Sequence, residues 1–187
     1  MMDSVGQRDR GEVPLSIYLR QGFTNATATG SRIVQSVMDL LSDPKVVGRT
    51  VRLLTGVGPA AAGSGDFRSA YEEFSGKAFT PRNFREERLR LIGVAEGMVI
   101  VRTCLSESTA FEIAFNAFSG RRAPLFFAIH KSAPITTTLL KDLDDLLEVT
   151  YVTFEDPDEL VDPLRSYLND VAVRRAATDS ISVKEFS

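Results

Sequence analysis

The sequence predicts an α/β fold, a flavodoxin- or Rossmann-like parallel sheet of five strands flanked by helices in a single domain. Three observations carry that expectation. Five short runs rich in β-branched and aromatic residues recur along the chain, at 15–20, 50–54, 98–103, 124–129 and 148–154. The stretches between them carry helical spacing, and strand–helix alternation folds into right-handed βαβ units around a parallel sheet. Two of the runs, MVIV and LFFAI, are apolar at every position rather than alternately, which suits strands covered on both faces. With 187 residues the chain has room for one core, since two would each fall near the lower size limit.

Taken in order, residues 1–13 are polar and read as a flexible leader, 14–172 as the folded domain and 173–187 as a C-terminal tail. LSIYLR (15–20) opens the sheet. SRIVQSVMDLL (31–41) places Ile33, Val34, Val37, Met38 and Leu41 on one helical face. TVRLL (50–54) is the second strand. The segment 55–79 interrupts the rhythm with a Gly/Ala/Pro-rich stretch, either a functional loop or lid or a surface insertion. Arg82, Arg85, Arg88 and Arg90, interleaved with Glu86 and Glu87, read as a solvated helix face. After the third and fourth strands, TLLKDLDDLLE (138–148) again has helical spacing. Asp156-Pro157-Asp158-Glu159 is a helix start, and Pro163 is expected to kink or split the helix that follows. The expected strand order is 2-1-3-4-5, which puts a ligand beyond the carboxyl ends of the first and third strands, at the loops after Arg20 and Thr103.

Composition excludes several classes. Hydrophobic residues at 43% and charged residues at 25% are globular values, and 12 Phe and 4 Tyr supply core bulk without Trp. A net charge of −3 argues against holding nucleic acid by its backbone. The single Cys104 and single His130 rule out a disulfide framework and argue against a Cys/His metal site. No apolar run approaches the roughly 20 residues of a membrane span. The N-terminus lacks the apolar core of a signal peptide, so the expected location is cytoplasmic.

The informative stretch is MVIVRTCLSESTAFEIAFNAFSG (98–120), a strand, a Ser-rich turn and a mostly apolar helix. Glu112 and Asn116 are four apart on one stripe of that helix. Glu112 is either the distal half of a capping box with Thr109 or a catalytic acid at the sheet's edge. Ser106 and Ser108 are either caps or hydroxyls helping a helix start to hold a phosphate. Arg20 and Arg102, at or near strand ends, are either further candidates for that phosphate or surface charges, and Asn116 is a candidate substrate contact.

The run Ser106-Glu107-Ser108-Thr109-Ala110-Phe111-Glu112-Ile113-Ala114-Phe115-Asn116-Ala117 resembles the signature of the nucleoside 2-deoxyribosyltransferase superfamily, including its nucleotide N-glycoside hydrolase branch. SIYLRQGF (16–23) resembles that family's first strand and substrate-binding turn, and the order of elements fits from about residue 15 to 170. The resemblance implies that Glu112 acts at the anomeric carbon and that Ser106 touches the nucleotide 5′-phosphate. It implies that Gly22 and Phe23 lie against the substrate. Two usual glycines of the signature are Ser108 and Ala114 here. The family's upstream Asp has no counterpart, and Glu86 or Glu87, close to that position, is the candidate to take its place. The implied activity is hydrolysis of a nucleotide's base–sugar bond, with no metal or cofactor and with a homodimer or larger homo-oligomer as the assembly. Two alternatives stand beside it: a TIR-like domain cleaving NAD, and a non-catalytic nucleotide-binding module of the same fold.

Overall fold

The computed structural model describes residues 13–20, 27–55 and 67–184. Its five strands, β1 (Leu15–Arg20), β2 (Val51–Leu54), β3 (Gly97–Arg102), β4 (Leu125–His130) and β5 (Val149–Phe154), form one sheet in the order β2-β1-β3-β4-β5. Every neighbouring pair is parallel. Helices α1 (Ala28–Ser42), the single turn α2 (Pro44–Val47), α3 (Phe67–Ser75), α4 (Pro81–Val94), α5 (Glu107–Phe118) and α6 (Val161–Lys184) supply the crossovers and cover the sheet. The expected fold class and strand order are both observed.

Because side chains alternate across a strand, the parity of each position decides which layer it joins. Ile17, Leu19, Val99 and Val101 pack with Val34, Val37 and Leu41 of α1 and with Leu164, Leu168 and Val171 of α6. Tyr18, Met98 and Ile100 pack on the opposite face with Leu91 and Ile92 of α4 and Ile113 and Ala117 of α5. Arg20 and Arg102 continue the second series. The strand pattern thus delivers two buried cations at the carboxyl edge on the α4–α5 side.

The caps follow the sequence signals. Thr27 accepts from the Gly30 amide at 3.0 Å to start α1. Asp156 and Glu159 form a reciprocal capping box over a 3-10 turn, Pro157–Leu160, that leads into α6. Pro163 does not interrupt α6, although the segment expected as one helix from Asp156 divides just ahead of it into the 3-10 turn and α6. It is the third residue of α6, where its missing amide hydrogen is one no helical carbonyl needs. α6 then runs through to Lys184, across the boundary expected at 172/173.

Two further expectations are corrected. The stretch 138–148 is two 3-10 turns, Thr138–Leu140 and Leu143–Asp145, rather than a helix. Asp142 between them adopts a left-handed φ of 51°, which ends helical propagation, and the Tyr151 hydroxyl pins the Leu140 carbonyl and the Leu143 amide. Leu140, Leu143 and Leu147 still reach the core, so the apolar spacing was real but was met by turns. Within the expected irregular segment 55–79, residues 67–75 are helical, and Tyr71 of α3 packs edge-on against Phe79 and Phe84. Among the described residues, no helix is long and apolar enough to cross a membrane.

Tyr167 of α6 donates one hydroxyl toward two carbonyls, Pro124 at 2.8 Å and Met98 at 3.2 Å, tying the helix to the starts of β3 and β4. Gly97 makes room for it: an added Cβ would overlap that hydroxyl. Burial pushes the phenols of Tyr167 and Tyr18 far above the ordinary value of 10.0. In the unfolded chain both ionise near pH 10, while in the folded chain neither does. Their contribution is therefore complete below pH 10 and is lost as pH rises beyond it. Chemical denaturation between pH 8 and 11 is expected to show stability falling above pH 10, with a shallower fall in Tyr18→Phe protein. An identical slope in both proteins counts against this assignment.

Candidate active site

The carboxyl edge of β1 and β3 gathers one buried ionic cluster. Arg20 ends β1, Arg88 comes from the middle of α4, and Glu112 sits in the second turn of α5, only 5% exposed. Arg88 donates Nε and Nη2 to Glu112 Oε1 at 3.2 and 3.1 Å. Arg20 Nε lies 2.9 Å from Glu112 Oε2, an ion-pair contact too poorly aligned for a hydrogen bond. The carboxylate is thus held between two guanidinia. Arg88 is itself fixed by ring faces, its guanidinium carbon 5.3 Å from the Tyr18 centroid and 5.5 Å from that of Phe84.

The two serines join the same cluster. Arg20 Nη2 donates to Ser106 Oγ at 3.0 Å and to Ser108 Oγ at 2.7 Å, and the two hydroxyls are 3.2 Å apart. Ser106 occupies the N-cap of α5 with extended backbone, yet its side chain makes no cap hydrogen bond, having been recruited by Arg20. Thr109 and Glu112 do not form a capping box. The helix starts at Glu107, so Glu112 lies too far along to reach its first amides, and its oxygens belong to the arginines.

The cluster is not electrically or sterically finished. Arg20 Nε and Nη1, Glu112 Oε2 and the Tyr18 hydroxyl are buried with no hydrogen-bond partner among the described residues. An atom with no partner at all costs about 1–3 kcal/mol in a closed core; Arg20 Nη1 and the Tyr18 hydroxyl lack a hydrogen bond among the described residues, whereas Arg20 Nε and Glu112 Oε2 have each other as ion-pair partners. Burial lowers the Arg20 pKa, Glu112 opposes that shift and Arg88 reinforces it. Burial likewise lowers that of Arg102, whose Nε donates to the Ala133 carbonyl at 2.8 Å.

Two hollows flank the first turn of α5. One, about 420 Å³, is lined by Phe84, Arg88, Phe111 and Glu112. The other, about 610 Å³, lies toward the β4 side and is lined by Arg102, Ser106, Thr136 and Thr137. Ser108 borders both. Glu112 therefore faces open space while being nearly dry, and Phe111, 51% exposed, presents an aromatic wall beside it.

Of the residues singled out in the sequence, Arg20, Ser106, Ser108 and Glu112 come together. Glu87 does not join them: both its oxygens bind Arg90, at 2.6 and 3.1 Å, one helical step away from the inward-facing Arg88. Asn116 is buried behind the site, its amide clasping both the carbonyl and the amide of Ala123 at 2.8 and 3.0 Å, and so secures the turn between α5 and β4. Asn116→Ala is expected to cost about 2–3 kcal/mol, read as a lowered denaturation midpoint, because both Ala123 groups lose their partners. An unchanged midpoint counts against that role. Gly22 and Phe23 lie outside the described residues.

Arg88 and Tyr18 were missed, and both had a signal. Arg88 falls in step with Phe84, Leu91, Ile92 and Ala95, on the one stripe of α4 that faces the sheet. Tyr18 shares strand parity with Arg20.

No protein-family model matches the chain, and no curated protein matches it. Among solved structures the chain is similar to that of the Clostridium botulinum CMP N-glycosidase BcmB, with a TM-score of 0.52 and 13% identity over 81% of this chain and 98% of that one. The fold is shared. At that identity the likeness shows the architecture alone.

Proposed function

We propose that the chain is an N-glycosidase that hydrolyses the base–sugar bond of a nucleoside 5′-monophosphate or related nucleotide, as the sequence resemblance to the deoxyribosyltransferase superfamily implies. The observation that carries this reading is a buried carboxylate, Glu112, held between Arg20 and Arg88 and bordering an open hollow. The BcmB likeness supports it, since that protein is a CMP N-glycosidase.

In this reading the sugar lies over Glu112. As the C1′–N bond breaks, its electron pair leaves with the base and positive charge builds on the anomeric carbon. Glu112 stabilises that charge electrostatically or by transient bonding. Water supplies the hydroxyl that ends on C1′ and the proton that ends on the base. Arg20, Ser106 and Ser108 hold the 5′-phosphate against the start of α5, where backbone amides also favour an anion. Phe111 and Phe84 give the planar base an aromatic seat.

Incubating the protein with a panel of nucleoside monophosphates, the matching nucleosides and NAD, then separating products by chromatography, tests the proposal. Free base from at least one monophosphate is expected. Nicotinamide from NAD alone points to the TIR-like reading. Melting shifts with nucleotides but no product point to a binding module, the reading that two arginines clamped on Glu112 favour.

A further inference from the structure

At the amino-terminal end of the sheet, far from the Glu112 cluster, four arginines face two adjoining hollows. One hollow, about 500 Å³, is lined by Arg121, Arg174 and Arg175, and the other, about 410 Å³, by Arg52, Arg121 and Arg175. Glu96 and Asp179 border both. Four guanidinia face three carboxylates, Glu96, Asp179 and the Glu148 that pairs with Arg174, which leaves the pocket with a net positive charge on a chain whose net charge is −3.

The pocket is organised. Ser16 donates its amide to Glu96 Oε2 at 2.7 Å and accepts from Arg52 at its hydroxyl, also at 2.7 Å. Arg175 reaches the Val13 carbonyl at 2.9 Å and lies 3.5 Å from Glu96 Oε1. Arg174 pairs with Glu148 at 2.9 Å and donates to the Arg122 carbonyl at 3.2 Å. That carbonyl belongs to a residue with a left-handed φ of 45°, a conformation that costs energy outside glycine. Asn116 holds the other side of the same turn through Ala123. A strained turn, secured from below by a buried amide and from the side by α6, thus presents Arg121. Among the described residues Arg121 has no carboxylate partner.

We propose that this pocket is a second ligand site, distinct from the Glu112 cluster, that binds a small molecule carrying a diphosphate or two neighbouring phosphates. Guanidinia on several sides suit an oligoanion, because each offers a planar fork of donors to phosphate oxygens. The three carboxylates and the modest volume oppose a polymeric backbone, which needs an open basic face. β3 separates this site from the other by its six residues, about 17 Å at the rise of an extended strand.

Calorimetric titration of inorganic pyrophosphate into Arg20→Gln protein, in which the carboxyl-edge cluster has lost the arginine proposed to hold a phosphate, tests the proposal. Saturable one-site binding is expected. Adding Arg121→Glu is expected to weaken it by about tenfold or more, and Arg121→Lys to weaken it less. ADP is expected to compete if the natural ligand is a nucleoside diphosphate, and to leave binding unchanged if it is free pyrophosphate. Either outcome keeps the site. Absence of saturable binding to the Arg20→Gln protein overturns the proposal, as does binding indifferent to Arg121→Glu. Arg121 is exposed on a turn, so its substitution leaves the fold intact, which an unchanged melting curve verifies. The outcome is independent of whether a glycosidic bond is cleaved at the other end.

Discussion

Glu112→Gln is expected to slow base release from the preferred nucleotide by about a thousandfold or more, since the group that meets the developing positive charge loses its own charge. The same substitution is also expected to destabilise the fold by about 3–5 kcal/mol. It leaves Arg20 and Arg88, each nearly fully buried, facing one another with no anion between them. Loss of rate and loss of stability therefore arrive together, and the single variant cannot separate them. A second variant does. In Glu112→Gln/Arg88→Met one of the two uncompensated charges is replaced by a flexible apolar chain of similar length, and most of the stability is expected to return. The rate is not. A double variant that melts near the parent temperature yet releases no base ties the loss to chemistry. Glu112→Gln protein that folds and turns over at the parental rate removes Glu112 from the mechanism.

How much of this was legible depended on whether a signal was local. The continuous apolar runs of β3 and β4 declared a sheet covered on both faces, and Asp156 to Glu159 declared the start of the last helical segment. Glu112, Ser106 and Ser108 stood out because they share one turn and the first stretch of one helix. What brings them into a cluster is not local. Arg20 lies 86 residues before Ser106, and their hydrogen bond exists only because β1 and β3 are neighbours in the sheet.

The misses have the same cause. Arg88 sat among three other arginines on a helix that read as solvated, and charge pattern alone does not say which of four like residues turns inward. Its buried neighbours on the stripe did say so, and period outranks charge there. Glu87, one residue earlier, was carried along by proximity in sequence and is rotated about 100° away from Arg88 on the helix. Asn116 shares the stripe of Glu112 but lies one turn deeper, where the nearest polar groups are the backbone of Ala123. The segment 138–148 had helical spacing, but Asp142 and the Tyr151 hydroxyl settled it as two short turns.

Arg20→Met is expected to reduce kcat/KM for the 5′-monophosphate by about a hundredfold, mostly through KM, while changing turnover of the corresponding nucleoside far less. The reason lies in the charge of the cluster. Among the described residues, two guanidinia and one carboxylate carry a net positive charge at the place where the anomeric carbon also becomes positive, which by itself opposes reaction. A substrate phosphate engaging Arg20 cancels that excess and weakens the arginine's hold on Glu112 Oε2, so the carboxylate is freed for the sugar when the right ligand arrives. A nucleoside brings no such charge and is expected to be a poor substrate of the parent protein. In Arg20→Met protein the cluster is already neutral without phosphate, and the preference for the monophosphate should collapse toward unity. Measuring kcat and KM for both substrates in both proteins decides the matter. If the variant loses activity equally on nucleoside and nucleotide, Arg20 acts on Glu112 alone and the phosphate is held elsewhere.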